Sequence, residues 1–223
     1  MATRVIDDSK LQDIAVAIQG KDSGGTVTVD EMPGRIATIP TQDNALLYSL
    51  INRSITSIEN SEVTRIGSSA FQYCRRLASV SLPNVTSIGD YVFQYCTNLT
   101  SVSLPNVTSI GDYVFQYCTN LTSVSLPNVT RIGLRVFQYC SNLTSVSLPN
   151  VTSIGIYAFQ GCTNLSIVIL GKRATLSNSN AFSGADNVIT YVQPEDLSWY
   201  STATNWSVLY TAGRVKSIEE LPT

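Results

Sequence analysis

The chain has 223 residues, of which 43% are apolar and 13% charged, and its formal net charge is −2. The charged share is about half the roughly 25% of ordinary soluble domains, so a surface built from Ser, Thr, Asn, Gln and Tyr is expected. No Lys/Arg run concentrates positive charge, which argues against nucleic acid or an anionic membrane as partner, and no apolar run approaches the ~18 residues that membrane insertion requires.

Residues 1–43 form the first segment, a small helical element or cap. Met1 to Asp8 contain neither the apolar stretch nor the cleavage site of a secretory leader. Ser9 and Gln12 fit a capping box, and Leu11, Ile14, Ala15 and Ile18 share one helical face, which predicts a helix over 9–19 that Gly20 ends. A loop over 21–25, an extended piece over 26–29 and a second helix start at Asp30 follow. A piece of about 40 residues is small for an independent domain; it either caps the first coil or attaches elsewhere.

From residue 44 to residue 192 a period of 22 residues governs the chain. Val85–Asn106 recurs without a change as Val107–Asn128, with looser copies at 63–84, 129–150 and 151–172, and Ile55 to Ile58 supply a half coil in front. Such a period is one coil of a solenoid, which buries its apolar face only by stacking on its neighbours. Within the coil, Ser101-Val102-Ser103-Leu104 alternates as a strand with Val102 and Leu104 inward and the serines outward. Pro105 closes it, having no N–H for the ladder. Val85 and Ile88 supply apolar contacts on the return path, Gly89 permits a bend, and the spacing of Phe93 and Cys96 predicts one turn of α or 3₁₀ helix facing inward. Segment 173–192 keeps Phe182 and a last strand around Val188, Tyr191 and Val192. Residues 193–223 form a C-terminal cap, with a helix starting at Pro194 and with Trp199 and Trp206 sealing the last coil; a tryptophan platform for sugars is the alternative.

The order I-G-x-x-x-F-x-x-C-x-x-L-x-x-V-x-L-P resembles the BspA-like, or Treponema pallidum-type, subclass of leucine-rich repeats. That resemblance implies an α/β repeat solenoid: a right-handed superhelix of 22-residue coils with short parallel strands on one face. Animal and plant repeats carry a buried Asn or Cys where this chain has Val85, Val107, Val129 and Val151, so the usual asparagine ladder is expected to be missing. The tail resembles the ends of BspA-like proteins. Separately, Leu11 to Ile36 are similar to a short module in phage and prophage tail-associated proteins.

Chemistry is scarce. The chain has no histidine, which removes the commonest general base and metal ligand. Its five cysteines, Cys74, Cys96, Cys118, Cys140 and Cys162, recur with the repeat and lack the close pairs of a zinc site. An inward ladder of inert thiols is the expectation. No enzyme, cofactor or metal site is expected. The candidate contact surface is therefore the repeat itself. Outward strand positions give a hydroxyl field of Ser101, Ser103, Ser123, Ser125, Ser145 and Ser147. Tyr91, Tyr95, Tyr113, Tyr117 and Tyr139 give an aromatic array, which is either an interface or an inter-coil stacking ladder.

These features predict a non-catalytic binding protein presenting a repeated Ser/Thr/Tyr surface to a protein or glycan. The BspA-like resemblance implies adhesion to host or neighbouring cells at a bacterial surface, a location that holds if an export signal is missing from this chain. The alternative is a virion-associated tail component that takes part in receptor recognition.

Overall fold

The computed structural model describes residues 55–61 and 63–222. The helix expected over 9–19 and the tail-module resemblance lie outside the described residues. Each period contributes two strands and a turn. One row comprises β1 (Ser57–Glu59), β3 (Ser79–Ser81), β5 (Ser101–Ser103), β7 (Ser123–Ser125), β9 (Ser145–Leu148), β11 (Ile167–Leu170) and β13 (Ile189–Val192). The other comprises β2 (Arg65–Ile66), β4 (Ser87–Ile88), β6 (Ser109–Ile110), β8 (Arg131–Ile132), β10 (Ser153–Ile154) and β12 (Thr175–Leu176). All pairing is parallel, and through the regular coils it is in register by one period: Val80 faces Val102, Ser147 faces Ile169, and Ile88 faces Ile110. The return path is thus itself a strand row. From β2 to β10 its two-residue strands are each followed by a glycine, because the backbones there nearly touch. A Cβ on Gly155 would lie 2.5 Å from the Gly133 carbonyl oxygen, and one on Gly111 2.6 Å from the Asp90 nitrogen.

The third side of the coil differs from the helical turn expected at Phe93–Cys96. It consists of linked turns, with Gln94 N–H donating to Tyr91 (3.2 Å) and Cys96 N–H to Phe93 (3.1 Å). Tyr91 (φ 60°) and Tyr95 (φ 61°) adopt the left-handed region, as do Tyr113, Tyr117, Tyr139 and Tyr157 one or more coils on. Left-handed residues interrupt any helical run. The alternation turns the amides of Tyr91, Phe93 and Tyr95 along the solenoid axis, where they donate to Asp112, Val114 and Gln116 at 2.9 Å. This third ladder satisfies backbone groups that a lone turn would strand.

Inside, Phe71, Phe93, Phe115, Phe137, Phe159 and Phe182 stack with centroids 5.2–5.6 Å apart. The thiols line up beside them, Cys118 Sγ donating to Phe93 O at 3.1 Å and Cys140 Sγ to Phe115 O at 3.0 Å. All five cysteines are buried and unbridged. Burial pushes the Cys118 and Cys140 thiols well above their ordinary range and Cys162 up to about 12. Buried valines occupy Val85, Val107, Val129 and Val151 as expected. Asparagines pair in an exposed row, Asn120, Asn142 and Asn164 each donating one coil back at 3.3–3.5 Å; the more deeply set ladder is one of glutamines. The amide nitrogens of Gln72, Gln94, Gln116 and Gln138 each donate to the side-chain oxygen of the next, ending on Gln160.

At the C-terminal end Trp206 and Tyr200 are fully buried. Trp206 tilts at 50° onto Phe182, the last rung, while its Nε1–H donates to Ala174 O. The Tyr200 hydroxyl accepts from Ala174 N and donates to Lys172 O. The polar tips of both aromatics are satisfied, so both seal the core at no desolvation cost. A 3₁₀ turn over Pro194–Asp196 leads into α1 (Leu197–Thr202), followed by α2 (Ser207–Thr211). A last strand, β14 (Val215–Ser217), then pairs parallel with β13.

Both strand rows break at one step. The sheets end β1-β3-β5 and β2-β4-β6, then resume with β7 and β8. Val102, beside the break, is half-buried, whereas Val80 and Val146 are 1% exposed. The turn ladder crosses this step intact, Tyr113 and Phe115 donating to Leu134 and Val136. On two sides the main-chain ladder is interrupted, with Asn128 Nδ2 donating to Pro105 O at 2.8 Å beside one of the gaps, and on the third it is continuous.

Candidate functional site

Among the described residues two surfaces carry the candidate side chains. On the strand face, Ser101, Ser103, Ser123 and Ser125 are exposed, and Ser145 and Ser147 are half-buried. Neighbouring threonines differ: Thr100 and Thr144 donate their hydroxyls to carbonyls one coil back, both at 3.0 Å. The threonines hold coils together, and the serines are left to face solvent.

On the turn edge the tyrosines fall into two rows. Tyr73, Tyr95, Tyr117 and Tyr139 stack in sequence at 4.8, 4.5 and 4.8 Å. Tyr91 stacks on Tyr113 at 4.7 Å. Ring faces are therefore spent on one another, while Tyr139 is exposed, the other tyrosines of both rows are half-buried, and the Tyr113 hydroxyl accepts from Arg135. Both roles weighed from sequence, stacking ladder and contact surface, are physically compatible. Tyr139, at the end of the long row, is 39% exposed. The long row stops there because the next position is Gly161 (φ 70°), where a Cβ would lie 2.5 Å from the Tyr139 ring. Burial is the main force raising the Tyr91 and Tyr117 phenols, helped by the neighbouring tyrosines and opposed by Arg135. Both remain neutral hydrogen-bonding groups at ordinary pH.

Arg135 belongs to this edge and was not among the candidate contact residues read from sequence. It takes the place of Tyr91 and Tyr113 one coil on, with φ 53°. Its guanidinium lies 5.7 Å from the Tyr113 ring centre and 5.0 Å from that of Tyr157, and Nη1 donates to the Tyr113 hydroxyl at 3.0 Å. The only signal for it was the departure of Leu134-Arg135 from the Asp-Tyr of the two preceding coils. The tryptophan platform considered above is not available at Trp206, which is 0% exposed.

The BspA type leucine rich repeat region matches residues 46–150 and 130–206, in six copies. The chain belongs to this family. Similar solved structures include a leucine rich cell surface protein from Faecalibacterium prausnitzii (34% identity, TM-score 0.57, covering 62% of this chain). The T. pallidum leucine rich repeat protein is 32% identical with a TM-score of 0.55 over 60% of the chain. A leucine-rich repeat protein from Bacteroides ovatus is 35% identical with a TM-score of 0.52 over 61%. The matched regions span 39%, 64% and 35% of those three proteins. No curated protein matches the chain.

Proposed function

We propose that this BspA-type solenoid is a non-catalytic adhesion module that presents its turn edge and serine face to a protein or glycan at a bacterial surface. One observation carries the reading: the two identical coils set the same phenols and hydroxyls at the same height, and the Tyr73–Tyr139 row continues over four coils with ring spacings of 4.5–4.8 Å along the edge. An extended row of equivalent weak donors and acceptors suits avid contact with a repetitive partner. The cell-surface description of the Faecalibacterium relative supports the same location for this chain.

The test separates the hydroxyls from the ring stack. Replacing Tyr95, Tyr117 and Tyr139 by Phe keeps the stacked faces and removes only the phenolic oxygens. Attachment to whole bacterial or host cells should fall at least tenfold while the circular dichroism stays that of the parent. Unchanged attachment would remove the tyrosine edge from the reading, and a parallel Ser103, Ser125, Ser147→Ala variant would then assign the contact to the strand face or to neither.

A further inference from the structure

The regular coils place an acid and a tyrosine at adjacent positions, Asp90-Tyr91 and Asp112-Tyr113. In the next coil both change. Leu134 removes the carboxylate and Arg135 introduces a cation, and the coil after that carries Ile156 where the acid stood. The two remaining aspartates are engaged by backbone: Asp90 Oδ1 accepts from Asp112 N and Asp112 Oδ1 from Leu134 N, both at 2.8 Å. No salt bridge to Arg135 occurs among the described residues, whose ion pairs are Arg173–Asp196 and Lys216–Glu220.

Arg135 is also held in place. The Tyr113 and Tyr157 rings flank the guanidinium on either side and the Tyr113 hydroxyl accepts one of its protons. A guanidinium offers five donors in a fixed fork, so one bond to a phenol leaves donors for a planar anion. Clamping between rings lowers the ordering cost of using them. This is a single, preformed, unneutralised cation on a surface of low charge, suited to one carboxylate and not to a polyanion.

The backbone narrows the ligand. Along this edge the main-chain donors are consumed between coils: Tyr113 N–H by Leu134, Arg135 N–H by Ile156 and Tyr139 N–H by Gln160, at 2.9, 3.1 and 2.7 Å. A peptide strand, which binds through main-chain hydrogen bonds, finds none to share. What the edge offers is side-chain chemistry, namely phenolic hydroxyls around a guanidinium, which fits a ligand bearing many hydroxyls and one carboxylate. We propose that Arg135, clamped by Tyr113 and Tyr157, binds the carboxylate of an acidic sugar residue in a glycan. The proposal rests on the adhesion reading above and names the ligand class for the same edge.

The experiment titrates the full chain with three sets of probes: glucuronate-terminated oligosaccharides, neuraminate-terminated oligosaccharides, and the same compounds with the carboxylate reduced to an alcohol. Two variants accompany the parent: Arg135→Tyr, which restores the residue of the neighbouring coils and so preserves the fold, and Arg135→Lys. The acidic sugars should bind at least tenfold more tightly than their reduced forms. Arg135→Tyr should abolish that preference, and Arg135→Lys should recover only part of it, since an ammonium lacks the planar fork. Which acidic series binds more tightly identifies the source of the carboxylate. Equal binding of acidic and reduced sugars, binding indifferent to Arg135→Tyr, or no sugar binding at all would overturn the proposal. So would Arg135-dependent binding of a glutamate-rich peptide without sugar binding, which would assign the site to an acidic protein. Cell attachment that depends on the tyrosines but survives Arg135→Tyr would leave the adhesion reading standing and remove only the carboxylate site.

Discussion

The glutamine ladder makes the sharpest stability prediction. Gln116 is 7% exposed and sits between Gln94 (8%) and Gln138 (5%), accepting from the first and donating to the second. Gln116→Leu keeps nearly the same volume but strands one donor on Gln94 and one acceptor on Gln138, both away from water. A buried polar group left without its partner costs about 1–3 kcal/mol, and the greater apolar burial of leucine returns about 1 kcal/mol. The net loss expected is therefore about 1–5 kcal/mol. Gln160→Leu strands only the Gln138 donor, at the half-buried end of the row, and should cost about half as much. Replacing Gln94, Gln116 and Gln138 together leaves unpaired only the Gln72 donor and the Gln160 acceptor, both half-buried and within reach of water. Because removing both partners of a bond is far milder than removing one, the triple variant should be no less stable than Gln116→Leu alone. Urea unfolding followed by circular dichroism measures all three. A loss at Gln116 below about 0.5 kcal/mol, or a triple loss equal to the sum of three single ones, would refute the reasoning.

Further outcomes follow from other sites. The Thr190 hydroxyl is buried without a partner in a row where Val168 stands opposite, so Thr190→Val should stabilise the fold by about 1 kcal/mol in the same assay. Hydrogen exchange should be fastest, within the regular coils, at the amides of Leu104, Thr122, Thr130 and Gly133, which flank the step where both strand rows break; uniform protection across coils would contradict the open step. Cys162 and Tyr200 are both pushed up to about 12, mainly by burial. Their protonated forms favour the folded state, so this stability is whole below about pH 9 and is lost as pH rises toward 12. The urea midpoint should fall over that range, and a flat midpoint would show that the groups reach water.

The period, the apolar rows and the strand containing Val102 were legible because a 22-residue repeat fixes which side chains meet. So were the inward thiols and the sealing role of Trp206. The turn was not: Phe93 and Cys96 stand three apart as in a helix, and only the left-handed conformation of Tyr91 and Tyr95 prevents one. Tyrosine is a poor predictor of that conformation, because here it is imposed by axial bonding between coils. Gln72, Gln94, Gln116, Gln138 and Gln160 each follow a phenylalanine in the sequence, so their recurrence was visible. Their inward direction was not, since it depends on the same conformation. Arg135 was hidden for a different reason. Variation between coils signals an exposed turn, and only the structure shows that this variant falls between two aromatic rings.

The claim that the surface acts as a repeated one is tested most directly by changing the number of coils. Deleting Val107–Asn128 leaves both junctions unchanged in sequence, because Val85–Asn106 is identical and takes its place; duplicating it adds a coil on the same terms. Dissociation from immobilised cells should slow stepwise from the shortened chain to the parent to the lengthened one, with all three folded. Identical dissociation across the series, or complete loss of attachment on removing one folded coil, would contradict it.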